Sequence, residues 1–331
     1  MHLDRSMTTA ELPPVAELLA SARVVRLPMR TRFRGITVRE VMVFAGPAGW
    51  GEFAPFPEYD DAEAAAWLAA GIEAAYLGPP PARRDVVGVN ATVPAVPADA
   101  VAGVLARYPG ATTAKVKVAE PGQTLADDVE RVAAVRELVP RVRIDANGKW
   151  TPAQAITALR AIGELEYAEQ PCATVAELAA VRRAVDVLIA ADESIRKAAD
   201  PLRVVAADAA DVAVLKVAPL GGMRAVLRLA EVIGLPVVIS SALDSAVGMA
   251  AGVAAAAALP RLDLACGLGT GSLLAADVAE PFLPVAGTLR PRWFTPDDAL
   301  PQSVPVAAGA DRCRWWCERL TRCHAVLAAE G

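Results

Sequence analysis

The sequence reads as an α/β protein: a barrel of parallel strands with a smaller companion domain. Three observations predict it. First, from about residue 86, short apolar, β-branched strands recur near 86–93, 112–118, 141–145, 166–169, 187–192, 212–217, 236–241 and 264–267, with amphipathic, alanine-rich helical patterns such as 125–138 and 152–162 between them. Strands roughly 22 to 29 residues apart, alternating with helices, mean parallel βα units, and eight of them suggest a closed barrel. Second, 331 residues are enough for one large barrel and a companion. Third, 54% of the residues are apolar and 21% charged, so a sizeable core can form and long disorder is not expected. An open doubly wound sheet is the alternative; no Gly-x-Gly-x-x-Gly follows the first strand, which counts against its nucleotide-binding form.

The elements follow in order. Residues 1–12 read as a loose leader, with Met7 as a second candidate start. Val24-Val25-Arg26-Leu27, residues 37–44 and Trp50-Gly51-Glu52-Phe53 read as strands, with a turn at Gly46-Pro47-Ala48-Gly49. Between the first two lies the basic stretch 30–35, read as a loop: either a solvated hairpin tip or a flap over an anionic substrate. Residues 60–77 form a helix that Gly78-Pro79-Pro80-Pro81 ends. This divides the chain into an N-terminal part (1–85), the barrel (86–280) and a C-terminal segment (281–331). In that segment a proline-rich stretch, 281–305, returns to the surface, and 311–329 forms a final helix.

Composition excludes several function classes. The net charge is −5 with no basic stripe, a poor basis for nucleic-acid binding. The longest small-apolar run, 246–259, is too short to cross a membrane, and no secretory signal is visible. Five scattered cysteines suit a reducing cytoplasm better than a disulfide framework. The histidines are His2 and His324 alone, which leaves little room for a histidine base or a histidine-rich zinc site. Cys313, Cys317, Cys323 and His324 form a zinc candidate, but helical spacing does not bring all four to one face. Chemistry falls to carboxylates and lysines.

In such a barrel, function sits at the C-terminal strand ends. The second strand ends in Lys115-x-Lys117, whose side chains share one face. The third ends in Asp145-Ala146-Asn147, the fourth in Glu169-Gln170-Pro171, the fifth in Asp192-Glu193-Ser194 and the sixth in Lys216. Three carboxylates from three successive strands suit a hard divalent cation, first of all Mg²⁺, with Mn²⁺ as a substitute. Lysines on either side of the acids suggest proton abstraction next to a substrate carboxylate. Lys115 would help lower the pKa of Lys117 through like-charge repulsion. For any one of these residues alone, a helix cap or a solvated surface charge is the ordinary explanation.

The ordered series Lys-x-Lys, Asp-Ala-Asn, Glu-Gln-Pro, Asp-Glu-Ser and the lysine of the sixth strand resembles the enolase superfamily, muconate lactonizing subgroup, over nearly the whole chain. The resemblance implies a (β/α)7β TIM-like barrel with an α+β capping domain drawn from both chain ends. It implies Lys117 as base with Lys115 as its partner, Mg²⁺ on Asp145, Glu169 and Asp192, and Lys216 on the opposite face.

Within the subgroup, Arg143, Asn147, Ser240, Ser241 and the Gly267-Leu268-Gly269-Thr270 turn resemble the o-succinylbenzoate synthases. That implies dehydration of a small dicarboxylate, 2-succinyl-6-hydroxy-2,4-cyclohexadiene-1-carboxylate. Ser240, Ser241 and the 267–269 backbone would hold its second carboxylate, and Arg32 or Arg34 would close the site. Racemisation of N-succinylamino acids, muconate cycloisomerisation and a non-catalytic binding barrel are the alternatives. Dipeptide epimerases carry Asp-x-Asp where this chain has Gly267-Leu268-Gly269, and mandelate-type racemases need a histidine. Glu52 and the segment 55–59 read as either an ordinary loop or a second loop facing the barrel mouth, and Trp315-Trp316 as packing. The oligomeric state is open between a monomer and a small homo-oligomer.

Overall fold

A computed structural model describes residues 12–197, 200–297 and 308–330. Most of the expected leader (1–11) and the 298–305 part of the proline-rich stretch lie outside the described residues.

The chain starts with helix α1 (Val15–Ser21) and the antiparallel sheet β1 (Arg23–Phe33), β2 (Ile36–Gly46), β3 (Gly49–Phe53). The stretch expected as a basic loop is instead the end of β1 plus the two-residue turn Arg34-Gly35. Pro28 has no N–H to give to the ladder, and the β1–β2 register shifts between Pro28 and Phe33. The freed end of β1 bonds to the barrel: Ala275 donates to the Pro28 carbonyl (2.7 Å) and Arg30 Nε to Leu274 (3.0 Å). That carries Phe33 and Arg34 over the barrel mouth. Helix α2 (Asp61–Tyr76), capped by Asp60, lies against β3. The approach requires glycine on both sides: a Cβ on Gly51 would stand 2.0 Å from the Gly71 carbonyl oxygen.

The barrel follows as β4 (Val87–Gly88), β5 (Ala91–Val93), α3 (Val101–Leu105), β6 (Thr113–Lys117), α4 (Leu125–Arg136), β7 (Arg141–Asp145), α5 (Pro152–Ile162), β8 (Tyr167–Glu169), α6 (Val175–Arg182), β9 (Ile189–Ala191), α7 (Glu193–Arg196), α8 (Arg203–Ala206), β10 (Val212–Leu215), α9 (Met223–Ile233), β11 (Val237–Ile239) and α10 (Ala246–Ala258). Strands β5 to β11 form one curled parallel sheet in sequence order. The expected eighth strand, 264–267, is reduced to two parallel bridges, Ser240 with Gly267 and Val89 with Cys266. Gly267 N–H donates to Ile239 (2.8 Å) and Asn90 N–H to Cys266 (2.9 Å), which closes the barrel with two residues in register.

Three successive βα loops end in the same device. Thr124, Thr151 and Thr174 cap α4, α5 and α6, and Asp127, Gln154 and Glu177 reach back to complete capping boxes. Each capping box fixes the residue at which its helix begins. Strand β12 (Thr288–Leu289) pairs antiparallel with β4. Helix α11 (Ala310–Glu330) then returns to the cap, burying Trp316, Leu320 and Cys323 against Phe53, Trp67 and Leu68. The result is an α/β barrel with an α+β cap made from both chain ends. No helix among the described residues is long and apolar enough to cross a membrane.

Candidate active site

Strand register builds the centre. Lys117, Asp145, Glu169 and Ala190 lie side by side on β6 to β9. Lys115, Arg143 and Tyr167 form the layer below. Parallel strands show the same face every second residue, so both layers point inward. Lys115 reaches up to Glu169, with Nζ 2.8 and 2.7 Å from its two oxygens, and lies 3.4 Å from Asp145. Lys117 is paired with Asp145 and donates to Asn147 Oδ1 at 2.7 Å. On the other side, Lys216, just past β10, is paired with Asp192. Asp192 also accepts from Arg196 at 2.9 Å.

Burial and charge set the protonation preferences. Burial lowers the pKa of Lys117 even with Asp145 beside it, and the Lys115 ammonium lowers it further. The expected repulsion is thus present, second to burial. Burial alone would lower Lys115 as well, but Glu169 and Asp145 hold it above its ordinary value. Asp145 stays below the usual carboxylate range because the two lysines outweigh its burial. Asp192 is likewise held low against burial, by Lys216 and Arg196. Burial and the two neighbouring acids raise Glu169 to about 7, against the pull of Lys115.

The cavity above this centre is lined by Lys115, Lys117, Asp145, Asn147 and Lys216 from the barrel floor, by Ser240, Ser241 and Gly267 from the seventh and eighth staves, and by Arg34 from the cap. Six expected site residues are not among its walls: Glu169 and Asp192 are buried behind Lys115 and Lys216, which do line it, and four others lie away from it. Arg143 sits one layer down, its guanidinium on Glu166, the Ala265 carbonyl (2.6 Å) and the Tyr167 ring. Leu268 is wholly buried in the core, and Gly269 packs under Asn90 and Tyr108. Arg32 alternates with Phe33 along β1, so Phe33 turns inward over Lys117 while Arg32 faces solvent. Of the two flap arginines only Arg34 reaches the cavity, over the Phe56 ring (4.6 Å).

The walls also include Phe33, Thr92, Ala242, Leu243 and Thr270, which the sequence reading did not single out as site residues. Alternation along β1 could have found Phe33. Nothing local marks Leu243. Gln170 has a positioning role of its own: its Oε1 accepts from the Asp192 and Ser194 amides at 3.0 and 3.2 Å and sets the Asp192 turn. No residue of the 55–59 segment lines the cavity; Tyr59 Oη accepts from Arg196 at 3.4 Å.

Among the described residues, no three His, Cys, Asp or Glu side chains already stand together as a metal cage. The three acids are drawn onto the ammonium groups instead, and Lys115 is shared between Asp145 and Glu169. Carboxylates offered by three adjacent strand ends, two of them already sharing one cation, are oxygen donors of the kind a hard divalent ion takes, so the residues present fit one. The C-terminal zinc candidate does not assemble among the described residues: Cys323 is buried in the cap core and His324 Nε2 lies 2.8 Å from the Pro13 carbonyl. All five cysteines are free.

Comparison with known proteins agrees with this fold. Residues 98–293 match the enolase C-terminal domain-like family, and 24–75 the enolase N-terminal domain-like family. The chain is 64% identical over 319 residues to the o-succinylbenzoate synthase of Mycobacterium tuberculosis H37Rv, covering 96% of this chain and 97% of that one. It is 63% identical to the o-succinylbenzoate synthase of Mycobacterium leprae, covering 96% and 95%. In fold it is similar to the muconate lactonizing enzyme of Pseudomonas putida, with a TM-score of 0.65 at 23% identity over 81% of this chain and 92% of that one.

Proposed function

This chain belongs to the enolase superfamily, and from that premise we propose the chemistry of its site. It acts as an o-succinylbenzoate synthase, a hydro-lyase that converts 2-succinyl-6-hydroxy-2,4-cyclohexadiene-1-carboxylate into o-succinylbenzoate for menaquinone biosynthesis. The near-full-length identity to enzymes of that name carries the assignment.

Asp145, Glu169 and Asp192 would hold Mg²⁺, with Mn²⁺ able to replace it. Bound there, the ion supplies Lewis-acid help that acidifies the C–H next to the ring carboxylate. Lys117 takes that proton: burial favours its neutral amine, and Asn147 and Asp145 fix its direction. The C–H electron pair forms the new ring double bond as the C–O bond to the hydroxyl breaks. Lys117, now an ammonium on the same face, returns its proton to the departing hydroxyl, and water leaves. Lys216, paired with Asp192, faces the negative charge that gathers on the carboxylate. Lys115 anchors Asp145 and Glu169. Ser240, Ser241 and Gly267 take the succinyl carboxylate, and Arg34 closes over it. Free cysteines and a small dicarboxylate substrate suit a cytoplasmic enzyme with neither nucleic acid nor membrane as partner.

The test is an assay of the purified chain with the cyclohexadiene substrate. Loss of diene absorbance with Mg²⁺, abolished by EDTA, is the expected result. Turnover of N-succinylamino acids alone would reject the synthase reading and leave family membership untouched.

A further inference from the structure

Two charged residues of the cap are buried at the seam with the barrel, and the reaction above uses neither. Arg39 on β2 is 1% exposed and Glu52 on β3 is 8% exposed. Burying such groups is costly unless each is well partnered. Neither has the other as its hydrogen-bond partner. Both hold the same short piece of barrel backbone, the turn between β11 and α10. Arg39 Nε donates to the Leu243 carbonyl at 3.1 Å, and another of its nitrogens donates to Ala54 in the cap. Glu52 Oε2 accepts from the Ser245 amide at 3.0 Å and from the Ser245 hydroxyl. Ser245 is the cap residue of α10.

The turn held in this way carries strain. Leu243 has φ of 65°, a left-handed conformation that a bulky side chain rarely adopts and keeps only where its surroundings impose it. Ser241, Ala242 and Leu243 line the active-site cavity. From inside, Ser241 Oγ accepts from the Leu243 and Asp244 amides at 3.0 and 3.2 Å. The hydroxyl expected to hold the substrate tail is therefore bonded to a strained turn, whose other face is held by the cap. The fit at the seam is close: a Cβ on Gly248 of α10 would stand 2.5 Å from Glu52 Oε1.

We propose that Arg39 and Glu52 are positioning residues of the reaction. By clamping the 241–245 turn from the cap, they place Ser241 and Leu243 to receive the succinyl end of the substrate. The lysines take their position from the barrel strands, so the clamp governs tail recognition and leaves proton transfer alone. The proposal rests on the synthase reading for its kinetic readout, and amide exchange tests it independently of that reading.

The experiment compares full-length wild type, Arg39→Met, Arg39→Lys, Glu52→Leu and Ser241→Ala. Arg39→Met should raise KM about tenfold, the scale of one well-placed hydrogen bond, with kcat nearly unchanged. Arg39→Lys should not rescue it, because one ammonium cannot reproduce the guanidinium's two-sided hold. Hydrogen exchange at the Leu243 and Asp244 amides should accelerate in Arg39→Met, and Glu52→Leu, which removes the acceptor for Ser245, provides a second variant should that protein not fold. Arg39→Met combined with Ser241→Ala should lose little more kcat/KM than Ser241→Ala alone, since both act on one contact. Lower thermal stability with unchanged KM and unchanged exchange in 241–245, or fully additive losses in the double variant, would overturn the proposal. A wild type without synthase turnover would defeat the functional reading, while the exchange comparison would still decide on the clamp.

Discussion

The molecule buries charge in two places, and the two are built differently. At the strand ends, each carboxylate has an ammonium within reach: Lys117 and Lys115 on Asp145, Lys115 on Glu169, Lys216 on Asp192. At the cap–barrel seam, Glu52 and Asp244 share the field of a single guanidinium, Arg39, which gives hydrogen bonds to backbone carbonyls. The difference shows in protonation. Asp145 and Asp192 are held ionised, whereas burial and Asp244 push Glu52 up to about 8, so the seam retains a proton at neutral pH. Matched charges serve a centre that binds a cation and moves a proton. The unmatched seam fixes backbone geometry.

The largest effect that would sharpen this contrast is at the strand ends. Lys117→Ala should lower kcat by about 10³-fold, the usual range for losing a positioned acid–base group, with folding kept because Asp145 retains Lys115. Single-turnover kinetics and circular dichroism check both halves. A change at the seam should act on stability instead. Gly248→Ala drives a methyl group against Glu52 and should cost about 1–3 kcal/mol in urea unfolding, the range for overpacking.

The proton on Glu52 has a sign that can be checked. A carboxyl whose folded pKa lies near 8 holds a proton that the unfolded chain has already lost above its ordinary value of 4.5. Stability from this group is full below that ordinary value, declines as pH rises through the interval, and stops declining above about 8. Glu52→Gln should therefore flatten the pH dependence of unfolding across that window. Glu169, raised to about 7, acts in the same direction in both proteins and cancels in their difference. An unchanged slope would remove the distinction between the two regions. Smallest is Thr151→Ala, which loses one capping box beside β7 and should cost about 1 kcal/mol of stability.

The two regions also differ in how much of them was legible beforehand. Local periodicity located β7 at 141–145 and α5 at 152–162 without error. Charged residues at the ends of apolar strands stood out because nothing in a barrel core explains them. Arg143 shows the limit of that reading: two residues along a strand keep the face but change the layer. The eighth stave contracted to two bridges because it must match neighbours on both sides only where Cys266 and Gly267 meet them. The seam was invisible for a physical reason. Arg39 and Leu243 are 204 residues apart, and their contact arises from docking, which no periodicity encodes. The strain at Leu243 likewise has no sequence mark, since leucine is an unfavourable choice for a left-handed residue.

The most direct test of the central claim is one pair of Mg²⁺ titrations by calorimetry, read beside turnover of the cyclohexadiene substrate. The account predicts that Lys117→Ala binds Mg²⁺ and turns nothing over, while Asp192→Asn loses much of its Mg²⁺ affinity with its Lys117 intact. Undiminished turnover in Lys117→Ala, or full Mg²⁺ affinity in Asp192→Asn, would contradict it.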